Sequence, residues 1–232
     1  MSDHLSEEEQ IERLKRWWAE QGKGVIAALI LVVGSYGGWN FYQSSVEKAA
    51  IASSAQYQLL SDRLASTEMG APLDATSATE LAAMAEALKS SAADSQYGRY
   101  AALLLARIAV ERDDLTTAET ELRWVLASES DAGLSAATTL RLARVLAAQD
   151  RVDEALALIR SSEVNAFAGA YAELRGDLYR SQGNDAQAYT AYQAALDAGV
   201  DQRSTALLEL KLNAVAAAVV ELPSVEEQEQ QQ

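Results

Sequence analysis

The chain has 232 residues, and its 34 Asp and Glu outnumber 19 Lys and Arg for a net charge of −15. A surface that acidic repels nucleic acid and anionic lipid headgroups, which argues against either as a partner. With no cysteine and one histidine, His4, the chain has no means beyond its first residues to build a disulfide framework, a zinc site of thiolates or several histidines, a thiol nucleophile or a Ser-His-Asp triad.

Residues 1–23 form a charged N-terminal segment. Ser6 and Glu9 make a capping-box pattern, after which Ile11, Leu14, Trp17 and Trp18 fall on one side of a helix. That stripe suits either continuation of the next element along a membrane surface or a docking face for a cytoplasmic regulator. Residues 24–46 carry no charge, and 23 helical residues reach about 35 Å against a bilayer core of about 30 Å. Trp39, Phe41 and Tyr42 at one end and Trp17 and Trp18 at the other are rings of the kind that settle at membrane-water interfaces. Arg13, Lys15, Arg16 and Lys23 precede the span, and Lys48 is the one basic residue close behind it. The positive-inside rule therefore places the N-terminus in the cytoplasm and residues 47–232 across the membrane. A signal peptide cleaved near Ala50-Ile51-Ala52 is the competing interpretation. That site lies too far beyond the apolar run, and the preceding segment is too long and acidic, so a retained anchor is favoured. Within the span Gly34 and Gly38 make a GxxxG pair, which either admits a close-packed partner helix or reflects the ordinary glycine content of membrane helices.

Beyond the span, much alanine and leucine and only two prolines, Pro72 and Pro223, favour an all-α fold. Residues 43–65 continue the membrane helix outward, 73–80 read as a polar loop, and 47–94 as a whole form membrane-proximal helices and loop. Breaks at 69–72, 113–114, 129–133, 149–150, 182–184 and 198–199 then separate short amphipathic segments, which pair into helical hairpins. Ala118, Ala155 and Ala188 each open the second helix of a pair, after DDLTTA, DRVDEA and GNDAQA, at spacings of 37 and 33. Those spacings bracket the tetratricopeptide period of about 34 residues. The last unit matches best, with Gly176, Tyr179, Ala188, Tyr192 and Ala195 at its small and aromatic positions. The middle unit keeps Leu142, Ala143, Leu146 and Ala155, and the first keeps Leu105, Ala106, Ala118 and Leu122; both lack the aromatic positions. An unrelated helical bundle with chance alanine spacing is the alternative. The expected architecture is thus one N-terminal transmembrane helix followed by a tetratricopeptide repeat-like α-solenoid over 95–221. A helix over about 202–220 caps it with a polar outer face, and 222–232 forms a disordered acidic, Gln-rich tail.

Taken together, the charged N-terminal segment, the single span with Gly34 and Trp39, and the repeat stretches TLRLARVLAAQDRVDEAL and AELRGDLYRSQGN resemble the YfgM-type ancillary SecYEG translocon subunit family of Gram-negative bacteria, over about residues 7–215. The resemblance implies a single-pass type II protein of the inner membrane that sits beside the SecYEG translocon. Its periplasmic repeats would pass newly exported polypeptides to periplasmic chaperones. It also implies that the cytoplasmic tail restrains an envelope stress response regulator. The Glu/Gln-rich C-terminal extension departs from the family pattern.

In a solenoid the first helix of each hairpin lines the concave wall. By register that wall holds Tyr100, Leu103 and Arg107, then Leu140 and Arg144, then Glu173, Asp177 and Arg180, a mixture suited to an extended or partly folded peptide. The same positions also read as ordinary helix-face residues. Leu103/Arg107 and Leu140/Arg144 stand where carboxylate-gripping repeat domains place Lys and Asn, so that clamp is not expected. The carboxylate pairs Asp113/Asp114 and Asp153/Glu154 sit in polar turns with no apolar pocket to raise a pKa, which disfavours a hydrolase. The function expected from sequence is non-enzymatic polypeptide handling without cofactor or metal. A structural scaffold for another envelope machine, in outer-membrane or cell-wall biogenesis, is the alternative.

Overall fold

The computed structural model describes residues 7–67, 72–128, 131–160, 167–199 and 202–220, and every regular element among them is an α-helix. Ser6 of the capping-box pattern, most of the break at 69–72 and the tail 222–232 lie outside the described residues. The chain divides into two compact units, Met1–Ser54 and Ala55–Gln232.

The first unit is built on α1 (Glu7–Ala65), which runs without interruption through the uncharged stretch. Its most apolar window has a mean hydropathy of 1.5 and is not buried inside the protein at all; by length and composition it is able to cross a membrane. Leu29, Ile30, Leu31, Val32 and Val33 are exposed in succession around the helix, so the apolar surface is a sleeve rather than a stripe. A helix apolar on all sides is buried in a core or in lipid. Trp17 and Trp18 pack 6.3 Å apart, and Trp39 and Tyr42 6.4 Å apart, near the two ends of the apolar stretch.

The second unit takes in the end of α1 and eight further helices among the described residues: α2 (Ala75–Ser91), α3 (Gln96–Glu111), α4 (Leu115–Ser128), α5 (Ala132–Ala148), α6 (Val152–Arg160), α7 (Ala168–Ser181), α8 (Asp185–Asp197) and α9 (Gln202–Val220). The expected polar loop at 73–80 is instead the start of α2. The Asp74 carboxylate caps it, accepting the Thr76 and Ser77 N–H groups at 3.0 Å each, and Ser77, Ala78 and Leu81 turn inward. Leu60 near the end of α1 joins Leu81, Ala85 and Leu88 of α2 and Ala101, Leu104 and Ile108 of α3 in one core. The segment that precedes the repeats in sequence therefore shares a core with the first of them.

From α3 onward the chain repeats one device. Asp113, Asp150 and Gly183 each adopt a left-handed backbone, with φ of 61°, 62° and 73°. The N–H of each following residue, Asp114, Arg151 and Asn184, reaches back to the carbonyls of Ala109, Leu146 and Tyr179 at 2.9 Å. Each helix thus ends in the same Schellman-type turn, and the chain reverses into the next. Asp and Gly are the residues best able to adopt that conformation. Five residues after each turn, Ala118, Ala155 and Ala188 are completely buried. Seven residues before the turns stand Ala106, Ala143 and Gly176, and nine after them Leu122, Ile159 and Tyr192, all buried. The small residue shrinks to glycine where its facing partner grows to tyrosine, which conserves the volume between paired helices.

The helices pack mainly on their sequence neighbours, and α5 reaches α7 across successive hairpins, the neighbour-to-neighbour pattern of a solenoid. Helix α9 closes the last core through Leu208 and Val215. Its outer face departs from the expected polar cap, because Leu207 and Leu210 are 52% and 68% exposed.

Candidate functional site

The end of α1 and helices α3, α4 and α5 enclose a groove of about 650 Å³ within the second unit. Its apolar lining comes from Tyr57, Leu64, Tyr100, Leu103, Leu104, Val110 and Val145. Tyr57 lies 5.1 Å from Tyr97 and 5.8 Å from Tyr100, ring centre to ring centre, so α1 and α3 meet through an aromatic cluster that leaves Tyr100 37% exposed.

Arg107, Arg141 and Arg144 supply the basic groups of the groove. Arg107 is neutralised locally: its Nε donates to Glu111 Oε1 at 2.7 Å, and the other Glu111 oxygen accepts the Leu73 N–H at 3.1 Å. Burial alone would raise the Glu111 carboxyl, but the Leu73 N–H and the Arg107 guanidinium outweigh it and hold the group below the usual carboxylate range. Arg141 and Arg144 project from one face of α5, both exposed, and neither has a hydrogen-bond or ion-pair partner among the described residues.

The wall residues read from sequence separate into three situations. Tyr100, Leu103, Arg107 and Arg144 come together in the groove. Leu140 is only 4% exposed and packs in the central core with Leu142 and Ala143, so it backs the wall and does not face a ligand. Glu173 and Asp177 turn toward α9, where Lys211 Nζ donates to each at 2.8 Å, while Arg180 stays exposed. The Tyr192 hydroxyl also donates to Asp177 at 2.8 Å, and burial followed by that carboxylate pushes the phenol above its ordinary value. Asp177 nevertheless borders a second depression, of about 350 Å³, with Asp150, Leu174 and Arg144. Arg144 thus stands where the two depressions meet.

Several lining residues were not among those read from sequence, Arg141 and Tyr57 foremost. Arg141 shares the helix face of Arg144 three positions earlier, a signal that was present in the spacing. Tyr57 belongs to the continuation of the membrane helix, and nothing local announces its return to the repeats.

The acidic turns are structural. Asp114 caps α4 by accepting the Thr117 N–H at 3.0 Å, Asp153 accepts Gln182 Nε2 at 2.8 Å, and Glu154 pairs with Arg151 at 2.6 Å. Asp114, through its bonds with Thr117, and Glu154, through Arg151, sit below ordinary carboxylate values, the opposite of what a general acid needs. In α1, a methyl group placed on Gly34 or Gly38 meets nothing within 4 Å, so that face is open to another helix.

A family model described as a tetratricopeptide repeat-like domain matches residues 15–217. The chain is 30% identical over 213 residues to a protein of Escherichia coli K12 named "Ancillary SecYEG translocon subunit", covering 92% of this chain and 98% of that one. It is 29% identical to the protein of the same name from Haemophilus influenzae, covering 92% and 99%. A third, from Neisseria gonorrhoeae, is 29% identical over 216 residues, covering 93% and 100%.

Proposed function

The chain belongs to the tetratricopeptide repeat-like family of the ancillary SecYEG translocon subunits, and from that premise we propose that it is a non-enzymatic translocon accessory that handles polypeptides emerging from the channel. Helix α1 anchors it in the inner membrane with the N-terminus in the cytoplasm, and the repeats stand in the periplasm. There the groove receives exported segments and releases them to periplasmic chaperones. The N-terminal segment, with Trp17 and Trp18 exposed, restrains a response regulator of envelope stress. The observation that carries this reading is the groove itself. An apolar, tyrosine-edged trough bordered by unpaired guanidiniums suits a peptide chain, and its carboxylate, Glu111, is tied to Arg107.

Photo-crosslinking from Gly38 in native membranes tests the partner. Adducts with SecY, SecE or SecG are the expected result. Adducts confined to an outer-membrane or cell-wall assembly complex overturn the translocon assignment in favour of the scaffold alternative.

A further inference from the structure

We infer that the groove selects polypeptide segments in which an apolar residue is followed by carboxylates, the apolar side chain seating among Tyr57, Tyr100 and Leu103 and the carboxylates meeting Arg141 and Arg144. This deepens, and rests on, the polypeptide-handling reading by naming the chemistry of the client.

The charge distribution of the molecule carries it. In a chain with 34 acidic residues, most other arginines described in the second unit are engaged: Arg63 with Glu80, Arg107 with Glu111, Arg123 with Glu119, Arg151 with Glu119 and Glu154. Arg99 is bound to the Ser128 carbonyl, Arg112 to Thr79, and Arg160 to Tyr179. Arg141 and Arg144 have no such partner among the described residues, and both line the apolar groove, whereas Arg175 and Arg180 of α7, also without an ion pair there, border neither it nor the second depression. Two like charges one helical turn apart repel each other, and a carboxylate placed between them relieves that repulsion. The apolar lining lowers the local dielectric and strengthens the attraction, and a guanidinium donates two parallel hydrogen bonds to a carboxylate.

The neighbouring depression sets a limit on the client. Asp150 borders it together with Arg144 and repels further negative charge, while Asp177 there is paired with Lys211. The net charge of −15 likewise opposes long polyanions at a distance. A short acidic cluster beside an apolar anchor is therefore favoured over a polyacidic tract.

The test uses the full chain in detergent and two fluorescein-labelled peptides with a Phe-Leu-Phe core, one followed by a pair of glutamates and the other by glutamines, compared by fluorescence anisotropy. The glutamate peptide is expected to bind about tenfold tighter at low salt, with the advantage shrinking as salt rises. Arg141→Gln with Arg144→Gln removes the difference, bringing the glutamate peptide to the affinity of the glutamine peptide. Arg141→Lys with Arg144→Lys keeps the charge but not the paired hydrogen bonds and retains part of it, and Arg141→Glu with Arg144→Glu reverses the preference toward a lysine-bearing peptide. Equal binding of both peptides overturns the charge selection and leaves polypeptide handling standing. Absence of binding by either peptide overturns both. An affinity that rises more than about tenfold on deleting residues 221–232 assigns the groove to that acidic segment and overturns the client assignment.

Discussion

Replacing Gly176 by alanine adds one methyl group at the tightest point between α7 and α8. An added Cβ would lie 2.5 Å from Tyr192 Cδ1 and 3.0 Å from Cζ, and closer still to Cε1. The ring has nowhere to go, because Tyr192 is completely buried and its hydroxyl is tethered to Asp177 at 2.8 Å. Forcing a methylene into such a site costs about 1–3 kcal/mol, and contact this close against a rigid ring belongs near the upper end. The better helix propensity of alanine returns about 1 kcal/mol. The net expectation is a loss of about 2 kcal/mol. Tyr192→Leu on its own leaves a cavity and also destabilises. The two changes together recreate the Ala106/Leu122 arrangement of the first hairpin, so their effects should fall short of additive by at least about 1 kcal/mol. Urea unfolding of the full chain in mild detergent, followed by near-UV circular dichroism, measures both quantities. A neutral Gly176→Ala variant, or strictly additive effects, would refute the volume-matching argument.

Lys89 of α2 lies 2.8 Å from Glu121 Oε1 and 2.7 Å from Oε2 of α4, in a pair whose side chains are 16% and 10% exposed. Lys89→Met strands a buried carboxylate and should cost about 3–5 kcal/mol, whereas adding Glu121→Leu should recover most of it; urea midpoints of the two variants decide. Asp74, Glu80, Glu111, Asp114, Glu119 and Glu154 all titrate below their free values of 3.8 for Asp and 4.5 for Glu. Groups lowered on folding contribute stability above those free values and lose it as pH falls through the folded ones. Urea midpoints should therefore hold level above about pH 5 and decline below it, and Asp74→Asn, which keeps the cap acceptor but does not titrate, should flatten the decline. Because the chain has no cysteine, single substitutions report topology. Ala157→Cys should react with a membrane-impermeant maleimide once the outer membrane is opened, and Glu12→Cys only after lysis. The reverse pattern would invert the proposed orientation.

The parts of the fold legible in sequence are those fixed by local chemistry. DDLTTA, DRVDEA and GNDAQA each place a left-handed residue and then a helix start within six positions, and the buried alanines follow at a fixed distance. The start of α2 is not legible locally because ATSATE lacks an apolar period; Ala78 is buried in a core shared with the end of α1 and with α3, and Ser77 accepts a hydrogen bond from Arg63. Helix α5 misled for a different reason. It is flanked on both sides, and Thr138, Thr139, Leu140, Leu142, Ala143, Val145 and Leu146 are all buried, so its pattern does not reveal which narrow face remains open. That face carries Arg141 and Arg144, while Leu140 falls in the core. The turning of Glu173 and Asp177 toward Lys211 depends on a contact with a helix more than thirty residues away, which no local window contains.

The most direct test of the central claim is site-specific photo-crosslinking of a translocation-arrested exported chain in native membranes, with the probe at Leu103 in the groove and, as a control, at Ala157 on the exposed side of α6. The expected result is an adduct with the arrested chain from Leu103 and none from Ala157. Equal yields from both positions, or none from either while Gly38 still reaches the translocon, would contradict the groove as the seat of polypeptide handling.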